Sequence, residues 1–163
     1  MYDDSFLSFQ ELEDKLGLCF IDKGLLQAAL TSRSFIKETI DKDPNAQVGD
    51  NERLEFLGDA VIELVVREYL YKNLDDDVNF LTTKKKEIVE NSYLHMRALE
   101  LGLRPHIRLG VGESRNPASE EAILSGALEA LCAAIYLDQG FLRAKDFVLQ
   151  NIIQNSTLDK NTC

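Results

Sequence analysis

The chain has 163 residues, 45% of them hydrophobic and 28% charged, which suits one globular domain with a real core. A net charge of −10 excludes an indiscriminate nucleic-acid binder, though not a local basic face or an acidic cleft that meets phosphate through a cation. No apolar run reaches bilayer-spanning length and Met1-Tyr2-Asp3-Asp4 has no signal character, so no membrane partner is expected and the expected compartment is cytoplasmic or an organelle matrix. Cys19, Cys132 and Cys163 are odd in number and unpatterned, and His95 and His106 lack ligand spacing, so neither a disulfide framework nor zinc is expected.

In chain order, Ser8 is read as the cap of a helix over Phe9 to Leu16, with Phe9, Leu12 and Leu16 on one side and Gly17 as its stop. Asp22 caps a second helix carrying Leu25, Leu26, Ala29 and Leu30, and a short helical piece through Phe35 to Ile40 follows. Asp41 to Asp50, with Pro44, Asn45 and Gly49, has turn composition and delivers Asn51, a third expected cap, to a helix running to about Lys72. After Asp75-Asp76-Asp77 the pattern is helical from Phe80 to Glu100, broken near Asn91 and closed by Gly102.

Residues 103–117 are a loop with short turns, bearing Arg104, His106, Arg108 and Arg115. Gly110-Val111-Gly112 is no nucleotide fingerprint, because no strand precedes it. A long helix runs from Ser119 to about Leu137, and a last one follows Gly140 to about Gln154. No segment reads as a strand, so the expected fold is all-α. One domain spans residues 1–155, and residues 156–163 form a polar, frayed tail.

Two helices carry acids where apolar residues would be simpler. At about 100° per residue, Glu52, Glu55, Asp59 and Glu63 share one strip of a helix whose remaining circumference is mostly apolar, including Leu54, Leu57, Val61, Ile62, Leu64, Val65 and Val66. Such a helix should be central, and its acids need cations to stay ionised. Glu129 is the single acid in Ala127 to Leu137 and has no cation at i±3 or i±4. Gly126, Ala130, Ala133 and Ala134 would let a neighbouring helix come close. Packed against the first helix, Glu129 would join Glu55 and Asp59 around Mg²⁺ or Mn²⁺, a donor set suited to phosphodiester hydrolysis. Pairing of Glu129 with Arg53, or a protonated core acid, explains the same residues. A di-iron centre would need Glu-x-x-His pairs, which are absent.

Asn51 to Ala60, NERLEFLGDA, resembles the signature of the ribonuclease III family. Leu12 to Phe20 with Leu25-Leu26 is similar to the family's opening helices. Ala29-Leu30-Thr31-Ser32-Arg33-Ser34-Phe35 is similar to its Ala-Leu-Thr-His-x-Ser-Tyr segment, with Ser32 in place of His. Val89 to Leu94 resembles the segment around its Asn, here Asn91. Gly110 to Glu113 resembles its Gly-x-Gly-Glu loop and Ile123 to Gly140 its second catalytic helix.

The resemblance implies an all-α domain that dimerises, with itself or with another chain of the family, and forms a valley for double-stranded RNA. It implies four carboxylates holding Mg²⁺, and hydrolysis leaving 5′-phosphate and 3′-hydroxyl ends. By position these are Glu55, Asp59 and Glu129, with Glu52 and Asn91 supporting. Lys84, Lys85, Lys86, Arg97, Arg108 and Arg115 become candidate RNA contacts, where the residues alone read as a solvated face.

Two departures stand out. The family's Asp three residues before the last Glu is here Gly126, which can ligate nothing. The double-stranded-RNA-binding domain that many members append does not follow, as in a single-domain form or the nuclease portion of a longer chain. Two functions follow as expectations: a Mg²⁺-dependent endoribonuclease impaired at one ligand, or an inactive member that binds structured RNA or pairs with an active partner.

Overall fold

The structure, a computed structural model, describes residues 4–43, 49–114 and 116–153; the tail over 156–163, Pro44, Asn45 and Arg115 lie outside the described residues. Among the described residues the elements are helices α1 (Asp4–Leu16), α2 (Lys23–Ala29), α3 (Arg33–Lys42), α4 (Glu52–Asn73), α5 (Val78–Val89), α6 (Asn91–Glu100), α7 (Val111–Ser114), α8 (Glu120–Gln139) and α9 (Phe141–Val148), the last continuing as a π-helical turn over Leu149–Ile153. No strand forms among them, and an isolated bridge pairs Thr31 with Arg108. None of these helices is long and apolar enough to cross a membrane.

Local chemistry sets most boundaries as the sequence predicts. Asp22 accepts the Gly24 N–H at 2.8 Å and starts α2. Gly17, Gly102 and Gly140 take positive φ (63°, 72° and 86°) where α1, α6 and α8 stop, a conformation that costs glycine nothing. The Phe80 to Glu100 segment is two helices with Glu90 extended between them.

Three local expectations fail. The first helix begins at Asp4, so Ser8 lies inside it and is no cap. The third starts at Arg33 because Ser32 caps it, its hydroxyl accepting the Phe35 N–H at 3.3 Å. Asn51 is not a side-chain cap: it is itself helical (φ −82°, ψ −14°) and buried, its N–H donates to the Thr31 carbonyl (3.0 Å), and Asp50 accepts the Glu52 N–H instead (3.1 Å).

The core is a helix wrapped by helices. From Leu124 to Ile135 in α8 every residue is buried except Glu129. Helices α2, α4, α6 and α9 surround α8, with α4 its most extensive partner through Leu54, Val61, Ile62, Val65, Val66 and Leu70. Helix α4 is central, as expected, on the side that packs against α8, but its apolar residues are not all covered. Phe56 (84% exposed), Leu64 (55%) and Tyr71 (80%) stand on solvent, because the helices packed on α4 cover its other side.

Candidate functional site

Helices α4 and α8 approach backbone to backbone at one point. A Cβ built on Gly58 would lie 1.8 Å from the Glu129 carbonyl oxygen and 3.1 Å from its Cα, so no side chain fits there. The crossing is fixed beside the acids of both helices, since Glu55 and Asp59 flank Gly58 on α4. The small residues expected to permit the approach, Gly126, Ala130, Ala133 and Ala134, are on α8, whereas the glycine that does so is on α4.

Around this crossing Glu52, Glu55, Phe56, Asp59 and Glu129 line an open cleft of about 510 Å³. Among the described residues the carboxylates of Glu55, Asp59 and Glu129 have no ion-pair or hydrogen-bond partner, so the alternative pairing of Glu129 with Arg53 is not made. Their burial and the neighbouring carboxylates have an electrostatic consequence. Burial, then the charges of Asp59 and Glu55, push the Glu129 carboxyl up to about 7, and burial, then Glu52, push Glu55 upward. Among the described residues no three His, Cys, Asp or Glu side chains are drawn tightly enough together to ligate one ion.

The remaining acids of the α4 strip separate from this group. Glu52 lines the cleft and is held by Arg33 at 2.7 Å. Glu63 is tied to Lys85 (2.6 Å) and Arg67 (2.9 Å), and those partners, the Lys85 hydrogen bond first, hold its carboxyl below the usual range. Asn91 opens α6 as an exposed residue and is not among those lining the cleft.

The basic candidates divide sharply. Arg97 is 4% exposed, its Nε donating to the Asn151 carbonyl at 2.8 Å and its Nη1 pairing with Glu100, so it joins α6 to the π-helical turn rather than facing RNA. Lys85, bound to Glu63, has a 13% exposed side chain. Lys84 pairs with Glu87 at 2.8 Å and lies over Phe80, and Arg108 stacks over Phe9 with 5.1 Å to the ring centre. Lys86 is exposed.

Sequence reasoning missed two features of the site. One is Gly58, although a glycine inside a helix costs about 1 kcal/mol relative to alanine and so calls for a reason. The other is a polar tie between α3 and the α7 loop. The Ser34 hydroxyl donates to Glu113 and accepts the Gly110 N–H (3.0 Å), while Glu38 accepts the Val111 N–H (2.7 Å). Ser34 and Gly110 to Glu113 lie in segments carrying the family resemblance, which was the available signal, whereas Glu38 lies outside them.

The sequence profile of a family described as Ribonuclease-III-like matches residues 22–156. Ribonuclease 3 of Oceanobacillus iheyensis is 42% identical over 144 residues, covering 87% of this chain and 61% of the relative. Ribonuclease 3 of Bdellovibrio bacteriovorus is 38% identical over 146 residues, covering 88% and 60%. The chain therefore spans about three fifths of the length of these curated relatives. Among solved structures, the nuclease domain of ribonuclease III from Campylobacter jejuni, described as flexible in a region involved in dimer formation, superposes with a TM-score of 0.78 at 40% identity, covering 90% of this chain and 97% of that one.

Proposed function

The chain belongs to the ribonuclease III family, and from that premise we propose that it is a divalent-cation-dependent endonuclease domain that hydrolyses phosphodiesters of double-stranded RNA. The observation that carries the reading is that Glu55, Asp59 and Glu129 open onto one cleft, their carboxylates without a partner among the described residues. Glu55 and Glu129 are half-buried, and burial, then the charges of Asp59 and Glu55, raise the proton affinity of Glu129, so the all-carboxylate lining of the cleft is chemically suited to a hard cation with an oxygen shell. Mg²⁺ or Mn²⁺ bound there would polarise the phosphate and lower the pKa of water. The chain's own residues do the rest. Glu55, Asp59 and Glu129 supply the negative charge that holds the cation, the Gly58 crossing keeps them together, and Arg33 steadies Glu52 at the cleft edge. Hydrolysis then leaves 5′-phosphate and 3′-hydroxyl ends.

The reading includes a dimer. Phe56 stands in the cleft wall at 84% exposure and Leu64 two turns further along α4 at 55%, an apolar face that a second copy or a related chain would cover. For RNA contacts it keeps Lys86 and, after release from Glu87, Lys84. Lys85, Arg97 and Arg108 serve other partners.

Gly126 favours a second reading, an inactive member that binds RNA or pairs with an active chain. Cleavage of a long RNA duplex with Mg²⁺ or Mn²⁺ separates the two. The nuclease reading expects the unmodified chain to cut and Glu129→Gln not to cut. Cleavage by Gly126→Asp alone, or duplex binding without cleavage by any variant, supports the inactive reading.

A further inference from the structure

Asn51 is 8% exposed and its side chain does not cap α4. Its N–H donates to the Thr31 carbonyl (3.0 Å) and its carbonyl accepts the Glu55 N–H (2.7 Å), yet its side-chain amide has no hydrogen-bond partner among the described residues. A primary amide brings two donors and an acceptor oxygen, and burying them dry is unfavourable. Asn51 borders a cavity of about 230 Å³ shared with Ser32, Glu113 and Glu55. This cavity adjoins the cleft, because Glu52 and Glu55 line both. It is polar and has room for more than one water, a molecule that takes about 30 Å³ in the liquid.

We propose that Asn51 is a positioning residue: its amide donates to water held in this cavity, and that water donates to one oxygen of the Glu55 carboxylate, leaving the other oxygen to the cleft. The proposal rests on the cleft being a cation site, as read above. Asn51 and Glu55 are four residues apart in sequence, so their side chains rise from one face of the helix. No direct hydrogen bond joins them, and the cavity lies against both, which gives the link to water. The other donors around the cavity are committed. Arg33 is held by Glu52, Ser32 and Ser34 by each other, and Ser119 donates to the Asn116 carbonyl. A carboxylate that ligates a cation depends on a further group to fix its orientation, and Asn51 supplies it for Glu55.

A double-mutant cycle on the purified chain tests this, using Asn51→Leu, which keeps the size and removes the donor, and Glu55→Ala, singly and together. Mn²⁺ affinity, measured by calorimetry, should fall about tenfold in Asn51→Leu and should not fall further when Asn51→Leu is added to Glu55→Ala. Asn51→Gln, whose amide still reaches a movable water, should recover most of the lost affinity, as a role in packing alone would not. In metal-free buffer the melting shift caused by Asn51→Leu should differ by about 3 °C between the two backgrounds, because the tie it breaks exists only where Glu55 is present. An undiminished Mn²⁺ affinity in Asn51→Leu, an equal fall with and without Glu55, or equal melting shifts in both backgrounds overturns the proposal while leaving the function intact. Failure of the unmodified chain to bind Mn²⁺ overturns the functional reading, and the metal-free melting shifts still report whether Asn51 is tied to Glu55.

Discussion

The carbonyl oxygen of Glu129 occupies the place a side chain on residue 58 would need, 1.8 Å from a Cβ built on Gly58. Backbone cannot yield as a flexible side chain can, so Gly58→Ala must push α4 and α8 apart. We expect it to destabilise the chain by about 3 kcal/mol in chemical denaturation, against the gain alanine makes in an ordinary helix. A variant as stable as the parent would mean the crossing is looser than described.

Glu129 sets a pH dependence in the metal-free chain. Its carboxyl ordinarily titrates at 4.5 and is raised to about 7 by burial and then by Asp59 and Glu55. Between those values the folded state holds more protons than the unfolded one, so this group's contribution falls as pH rises from about 4.5 to about 7 and then levels. Glu129→Gln removes the term. Its melting temperature should exceed the parent's at pH 8 and the gap should close by pH 5, while Mn²⁺ at pH 8 should stabilise the parent more than the variant. Parallel melting curves across that range would count against the buried, mutually repelled carboxyl.

Arg97 and Lys86 should behave oppositely. Truncating Arg97 leaves the Asn151 carbonyl without its donor, so Arg97→Ala is expected to cost about 2 kcal/mol in thermal or chemical unfolding, with duplex RNA affinity per folded molecule unchanged. A selective loss of affinity at full stability would reverse this assignment.

Lys86→Ala should leave stability within about 0.5 kcal/mol. It should lower duplex affinity across all sequences and reduce the slope of log K against log salt by about one. An unchanged slope in fluorescence titrations would remove Lys86 from the RNA surface.

Phe56→Asp puts a charge on the exposed apolar face of α4. Sedimentation should show a monomer where the parent dimerises, with helix content by circular dichroism preserved because Phe56 is 84% exposed. A variant that still sediments as the parent does would move the dimer contact elsewhere.

Much of this was legible in the chain itself. Period and cap chemistry mark α2, the α5–α6 break at Glu90 and the glycine stops at Gly17, Gly102 and Gly140, since these depend on local backbone preferences. The signature string marks the family and, through it, Glu55, Asp59 and Glu129. Helical spacing also puts Glu63 on the acid strip, but whether an acid meets a cation or a cleft depends on what the neighbouring helix presents, and α5 presents Lys85. Likewise a run of lysines with Arg97 looks equally exposed in one dimension, while packing buries Arg97 and ties Lys85. Gly58 and Gly126 are alike as letters in helices. Only the crossing of α4 and α8 gives one of them a backbone oxygen to accommodate and the other nothing firmer than the far end of the flexible Glu55 side chain, because that difference lies between helices far apart in the chain.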